Sequence, residues 1–337
     1  MKPNRRLLAI ALCLGLSAAA ADAQQNLLYW MPPAAVAALD TDLGQARPRA
    51  SYSAAHYFQQ GIEASSETIS YQDHQLTASV PIINNETREL SAILQLGWMD
   101  IETDAVLPRP GEKLPPNLYD VSVGLAYRQN LDNGHSFGGS LTVGSPSDKP
   151  FASAEELLVN LNAYYRLPAG QKDAWLLMLN WSNGRDFAEY IPLPGVGYFH
   201  DAGDDLKILA GVPFSSIVYR PVENLILQAD YTLLRDATAK VTWQIARDLS
   251  LYGQWTWDTR TYFRHDRDDD DDRLFYHEKT AAVGLRWNLT RDIYLDASGG
   301  YAYQRFFAED DDFDDHTDNQ IEIGDGFFIG LTLGVSF

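Results

Sequence analysis

Apolar side chains recur at every second position in run after run of about 9 to 12 residues, and this period of two limits what the chain can become. Tyr119, Val121, Val123, Leu125 and Tyr127 fall on one face, with Asp120, Ser122, Gly124, Ala126 and Arg128 on the other. The pattern repeats in Leu90, Ala92, Leu94, Leu96, Trp98; in Leu157, Val159, Leu161, Ala163, Tyr165; in Ala239, Val241, Trp243, Ile245; and in Ala281, Val283, Leu285, Trp287. It closes the chain with Phe327, Ile329, Leu331, Leu333, Val335, Phe337. Turn-forming triplets such as Asp132-Asn133-Gly134, Pro168-Ala169-Gly170 and Thr290-Arg291-Asp292 separate the runs. After Gln24 only the stretch around Pro33 to Leu43 suggests a helix, so the fold class is all-β.

A water-soluble sandwich also alternates, and three further features favour a membrane barrel. The runs have the length a tilted strand needs to cross a bilayer. Aromatics cluster at run ends, at Trp98, Tyr119, Tyr127, Tyr165, Trp175, Trp181, Trp243 and Trp287, where interfacial girdles belong. Short turns alternate with long polar connections at Asp100 to Leu118, Ser145 to Ser153, Phe263 to Tyr276 and Ala308 to Asn319, the asymmetry of periplasmic turns and extracellular loops.

Residues 1–23 read as an export signal. Lys2, Arg5 and Arg6 precede an apolar stretch from Leu7 to Leu16, and Ala21-Asp22-Ala23 forms a small-x-small cleavage site before Gln24. The one cysteine, Cys13, lies in this leader after Leu12, too large a neighbour for lipid attachment. The exported chain therefore carries no thiol, which excludes a disulfide scaffold and a cysteine-built zinc site. With 46 acidic against 26 basic side chains the full chain would also repel nucleic acid.

The export signal, the meander of strands and the final run Phe327-Phe328-Ile329-Gly330-Leu331-Thr332-Leu333-Gly334-Val335-Ser336-Phe337 together resemble a bacterial outer-membrane β-barrel of the Gram-negative envelope, over roughly Ala50 to Phe337. In that family the last strand ending on an aromatic, here Phe337, is similar to the signal read by the barrel-assembly machinery. Gly211 to Pro221 resembles a stretch of barrels known only as domains of unknown function. The resemblance implies outer-membrane lipid and lipopolysaccharide as surroundings.

Parity sets the strand number, because a barrel with both chain ends in the periplasm has an even count. Proline and glycine at Pro192, Pro194, Gly195 and Gly197 weaken the run Ile191 to Phe199, so Ser182 to Asp205 reads as one extracellular connection and the strand near Leu206 as running inward. The expectation is a transmembrane antiparallel up-and-down barrel of about 14 strands. Twelve or sixteen follow if a weak strand such as Ala50 to Gln60 is lost or the run through Pro213 is split. Residues 24–49 form a periplasmic or luminal segment, and the inward-pointing Leu176 and Met178 suggest a plug, with Asn26 to Trp30 as its candidate.

Charged residues on the inward face give the lumen candidates Asp230, Lys240, Arg286 and Asp296. Asp230 and Lys240 flank one hairpin turn and Arg286 and Asp296 another, so each pair can meet across neighbouring strands. Small inward residues, Gly138, Ser140, Thr142, Gly330, Thr332 and Gly334, argue for free lumen. Two acidic loop clusters stand outside: Asp268, Asp269, Asp270, Asp271 and Asp272, and Glu309, Asp310, Asp311, Asp312, Asp314 and Asp315. They read either as solvated loop tips, as carboxylates holding divalent cations, or as an electrostatic funnel for cations. The seven histidines show no serine-base arrangement, and Asp73-His74 and His265-Asp266 are strand neighbours pointing to opposite faces. No enzyme activity, cofactor or bound metal is expected. Two functions stay open: passive, cation-favouring passage of small solutes, or a closed barrel with a structural or surface-binding role through its acidic loops.

Overall fold

The computed structural model describes residues 43–109, 111–185, 188, 190–203, 205–233, 235–267, 269–313 and 319–337. The leader, the candidate plug segment and Asp268, Asp314 and Asp315 lie outside the described residues. The strands are β1 (Arg49–Gly61), β2 (Thr68–Asn84), β3 (Arg88–Thr103), β4 (Asn117–Asn130), β5 (Ser136–Ser147), β6 (Leu158–Pro168), β7 (Ala174–Ser182), β8 (Leu193–Asp201) and β9 (Leu206–Val212). They continue with β10 (Phe214–Val222), β11 (Leu225–Thr232), β12 (Asp236–Ala246), β13 (Leu249–Tyr262), β14 (Arg273–Asn288), β15 (Ile293–Asp310), β16 (Gln320–Ile323) and β17 (Gly326–Ser336).

Each strand pairs antiparallel with its sequence neighbours, and β17 pairs with β1 from Arg49↔Ser336 to Tyr57↔Phe328, which closes the sheet. The short β16 pairs with the outer end of β15 and β17 with the rest of it, so the two are one interrupted strand. The ring therefore has sixteen positions. Closure leaves no unpaired edge, the condition for sheet in hydrocarbon. No helix among the described residues is long and apolar enough to cross a membrane.

The count corrects the expected fourteen at two places. Leu193–Asp201 is a strand despite its proline and glycines. Pro194 is its second residue, where a missing N–H costs little. Gly195 and Gly197 face the lumen, where added Cβ atoms would strike Met178, Pro213 and Leu209. These glycines make room for larger neighbours rather than breaking the strand. The run through Pro213 is also split: β9 ends at Val212 and β10 begins at Phe214, so the chain reverses at a residue that cannot donate to a ladder. Ser182 to Asp205 is thus not one connection, and the strand beginning at Leu206 runs outward.

The outward face is apolar and open. Val123, Leu125, Leu141, Leu161, Leu177, Leu179, Val241, Val283, Leu285, Ile329 and Leu331 are all exposed. Burying these side chains is worth about 1.5–3 kcal/mol each, and here only lipid can cover them. Two aromatic girdles bound the belt, Trp98, Tyr119, Trp255 and Tyr301 above, Tyr127, Tyr165, Trp175, Trp243 and Trp287 below. Inside, aromatic rings lie flat on the wall over glycines of the next strand. A Cβ at Gly138 would strike Tyr164, one at Gly284 would strike Tyr252, and one at Gly334 would strike Tyr294. Gly138 and Gly334 therefore seat neighbouring rings and do not mark free lumen.

Wall height is uneven. β13, β14 and β15 have 14, 16 and 18 residues, whereas β9 has 7 and β11 has 8. The tall wall rises well beyond the upper girdle, and its excess folds inward. There Ile69, Tyr71, Met99, Leu107, Leu118, Leu274, Tyr276, Phe307 and Ile321 form a buried apolar core at the outer end of the barrel.

Candidate functional site

A strap crosses the outer mouth. Beyond β13, Phe263 crosses the bore and donates its backbone N–H to the carbonyl of Pro146, 2.8 Å away, forming a parallel bridge to Ser147. β5 stands opposite β13 in the sixteen-position ring, so this contact pinches the mouth into two lobes. Small side chains let the backbones approach: Ser145 and Ser147 are fully buried, and their hydroxyls accept from the N–H groups of Phe151 and Lys149.

Arg264, next along the strap, is 1% exposed and joins three loops. Its Nε and Nη2 donate to the two oxygens of Glu309, at 2.5 and 3.1 Å, and its Nη1 donates to Glu112 at 2.7 Å. His265 extends the clasp, its N–H donating to Asp148 at 2.8 Å and its Nδ1 lying 2.9 Å from Glu156. Arg273 Nη2 donates to the carbonyl of Arg185, and the N–H of Arg109 to Asn319. Loops 104–116, 148–157, 183–192, 263–272 and 311–319 thus converge over the mouth.

Beneath the apolar core runs a buried polar network. Arg260 on β13 pairs with Asp73 on β2 at 2.8 Å, with Asp258 at 3.0 Å and with Glu278 at 3.5 Å. Tyr57 and Tyr276 both donate to Glu278, and the Tyr71 and Tyr276 hydroxyls lie 2.5 Å apart. Since β2 and β13 are not neighbours, this network ties separate walls together. Arg260, Arg264 and Glu278 escape the sequence reading, and Glu309, read there as part of an outer acidic loop, is buried against Arg264. Their signal was present as the alternation Asp258, Arg260, Tyr262 and Tyr276, Glu278, which puts charge on the inward face of strands too long for the bilayer.

The remaining wall is different. Ser122, Thr142, Asn160, Asn162 and Asn180 on β4–β7, and Gln228, Thr238, Thr242, Gln254 and Thr256 on β11–β13, face inward and are half-buried. Asn180 donates to Asn162 at 2.6 Å and Ser122 to Gln95 at 3.0 Å, so the side chains satisfy one another along the wall.

The lumen candidates fall on this inward face. Arg286 and Asp296 stand opposite in register and pair at 3.0 Å, with Tyr252 donating to the other Asp296 oxygen at 2.6 Å. Asp230 and Lys240 do not meet. The register places Lys240 opposite Gln228 and Asp230 opposite Thr238, two residues away from the pairing expected across that turn. Asp230 instead accepts from Ser216 at 2.6 Å and Gln228 at 2.8 Å, and Lys240 Nζ lies 4.1 Å from the Tyr252 ring centre.

The acidic clusters come together. Arg273 Nη1 donates to the carbonyls of Asp271 and of Asp311, which draws the two loops together, and burial and the neighbouring Asp269 and Asp310 push the Asp272 carboxyl above its usual range. Asp310 also lies 3.7 Å from Arg109. Among the described residues no three metal-ligating side chains group together. Phe337 is exposed at the periplasmic edge, its N–H bonded to the carbonyl of Pro48.

Solved structures with a similar architecture include an outer membrane channel from Pseudomonas putida F1, at 11% identity over 88% of this chain and 98% of that one, with a TM-score of 0.39. The Acinetobacter baumannii outer membrane protein Omp33 matches at 9% identity over 87% and 100%, with a TM-score of 0.36. OprB of Pseudomonas putida matches at 8% over 89% and 95%, with a TM-score of 0.32. No protein-family model matches the chain, and no curated protein matches its sequence. At these identities no residue role passes from one chain to another; the decisive observations are the closed ring, the lipid-facing belt and its two girdles. The chain is a bacterial outer-membrane β-barrel. Its place in a membrane follows from the same belt, since a sealed sheet with an apolar exterior has no stable home in water.

Proposed function

We propose that the barrel is a channel for small polar solutes that rests with its outer mouth closed. The observation that carries this reading is the half-buried wall of serine, threonine, asparagine and glutamine on β4–β7 and β11–β13, a lining suited to a water-filled bore. Inward charges next to it are mostly neutralised in pairs, as Arg286 with Asp296 and Arg128 with Glu89 at 2.7 Å. Preference for cations then comes from the outer mouth, where Asp269, Asp270, Asp271, Asp272, Asp310, Asp311 and Asp312 concentrate negative potential.

Conductance of the refolded mature protein in a planar bilayer, with a salt gradient across it, tests the proposal. Rare cation-selective openings from the native chain, made frequent by Arg264→Ala, are expected. A second reading, a permanently closed barrel that binds partners through its loops, draws on the packed core and the loop convergence around Arg264. Absence of openings from folded native protein and from folded Arg264→Ala would favour it and reject the channel.

A further inference from the structure

The strap divides the outer half of the bore into unlike lobes. Its bridge from Phe263 to Ser147 joins the tops of β13 and β5, leaving β14–β17 and β1–β4 on one side and β6–β12 on the other. The buried apolar core belongs to the first side and its border strand. Tyr57, Tyr71, Met99, Leu118, Tyr276 and Phe307 come from β1, β2, β3, β4, β14 and β15, and Tyr262 comes from β13. Among the described residues no member of the core comes from β5–β12. The Arg260 network lies beneath it on the same strands, with Asp73 of β2 reaching across to β13. A core packed as densely as an organic crystal leaves no passage for solute. Its side chains stand mainly on strands, so it stays in place when the strap lets go.

The second lobe is lined differently. Leu161 on β6, Leu179 on β7, Ile217 on β10 and Val241 on β12 face lipid, so Asn162, Asn180, Ser216 and Thr238, of opposite parity, face the bore, and all four are half-buried. The wall adds little cover of its own, because β9 and β10 are joined through Pro213 and β11 and β12 through residues 233–235. Cover comes from the segment between β13 and β14. The Phe263 ring lies near Gly184, just above β7, where an added Cβ would stand 3.7 Å from it. Arg273, at the far end of that segment, holds the carbonyl of Arg185.

We propose that, once the strap lets go, solutes cross the outer half of the bore through the second lobe alone, so that Asn162, Asn180 and Thr238 decide what enters. The assignment rests on the channel reading and deepens it. Amide and hydroxyl groups on one side of the bore favour solutes that exchange hydrogen bonds to water for hydrogen bonds to the wall, while the packed side stays shut in every state of the strap.

Block of current by a thiol reagent tests it. The exported chain has no native cysteine, so Asn162→Cys, Thr238→Cys and Gln75→Cys can each supply the one thiol of the Arg264→Ala protein. Gln75 shares the inward face of β2 with Asp73 and lies below it, under the core. Single-channel current is recorded in a planar bilayer before and after a trimethylammonium-ethyl methanethiosulfonate reagent is added on both sides. Asn162→Cys and Thr238→Cys should each lose most of their current, and Gln75→Cys should keep its own. Unchanged current at Asn162→Cys and Thr238→Cys, or equal loss in all three variants, would overturn the single-lobe path and leave the channel reading intact. Absence of openings before the reagent, in protein shown to be folded, would reject the channel and the path with it.

Discussion

Arg264 Nε lies 2.5 Å from one carboxylate oxygen of Glu309, and both side chains are almost fully buried above the bilayer. The pair joins the strap after β13 to the top of β15. Removing one partner leaves the other charged and buried, which costs about 3–5 kcal/mol, whereas replacing both by apolar groups costs far less. Arg264→Met should therefore open the mouth and lower the temperature at which the barrel loses its folded gel mobility. Arg264→Met combined with Glu309→Leu should recover most of that stability. A double variant no more stable than the single one would show that the pair is not what holds the strap.

Arg286 and Asp296 neutralise each other on the bore wall, while Asp230 accepts from the neutral donors Ser216 and Gln228. Three substitutions should shift ion selectivity in different directions. Arg286→Gln exposes the Asp296 charge and should raise cation preference. Asp296→Asn leaves the arginine and should lower it, and Asp230→Asn should lower it without loss of stability. Reversal potentials in a salt gradient read all three, and identical values for the three variants would place the ion path elsewhere.

The barrel was legible in the sequence because lipid on one side and a polar bore on the other enforce a period of two. That is why runs such as Tyr119 to Tyr127 and Ala281 to Trp287 are strands with their apolar faces outward. Strand number was misread where local composition spoke against tertiary context. Gly195 and Gly197 looked like strand breakers because Met178 and Leu209, the side chains they accommodate, are distant in sequence. The Arg286 and Asp296 contact could be inferred from hairpin symmetry. The Arg264 clasp could not, because Glu112, Glu309 and the strap are brought together only by closure of the ring.

Asp272 shows that the two acidic loops act as one field, since Asp269 on its own loop and Asp310 on the next both raise its carboxyl, after burial. Replacing Asp269, Asp270, Asp271 and Asp272 by Asn should reduce cation selectivity at low salt, and adding Asp310→Asn, Asp311→Asn and Asp312→Asn should reduce it further. Both effects should vanish near 1 M salt, where the screening length falls to about 3 Å. Selectivity unchanged at low salt would remove the loops from any role in steering.

Glu156 gives the mouth an acid response. Burial pushes its carboxyl up, but the bonds from His265 and from the N–H of Ser153 outweigh this and hold it below the ordinary carboxylate range. A carboxyl depressed in the folded state stabilises that state above its unfolded value and ceases to do so as pH falls through the folded one. The link between loops 148–157 and 263–272 should therefore hold at neutral pH and loosen in acid below about pH 4.5. Around it stand Asp148, which accepts from the N–H of His265, and Arg267, which donates to the carbonyl of Glu155. Trypsin cleavage after Arg267 will be too slow to follow at low pH, so pepsin cleavage of the strap is the suitable readout, compared between native protein and Glu156→Gln. The native strap should become cleavable as pH falls, and the variant should be cleavable at every pH at which pepsin acts. Equal protection of the two throughout would show that Glu156 does not hold the loops together.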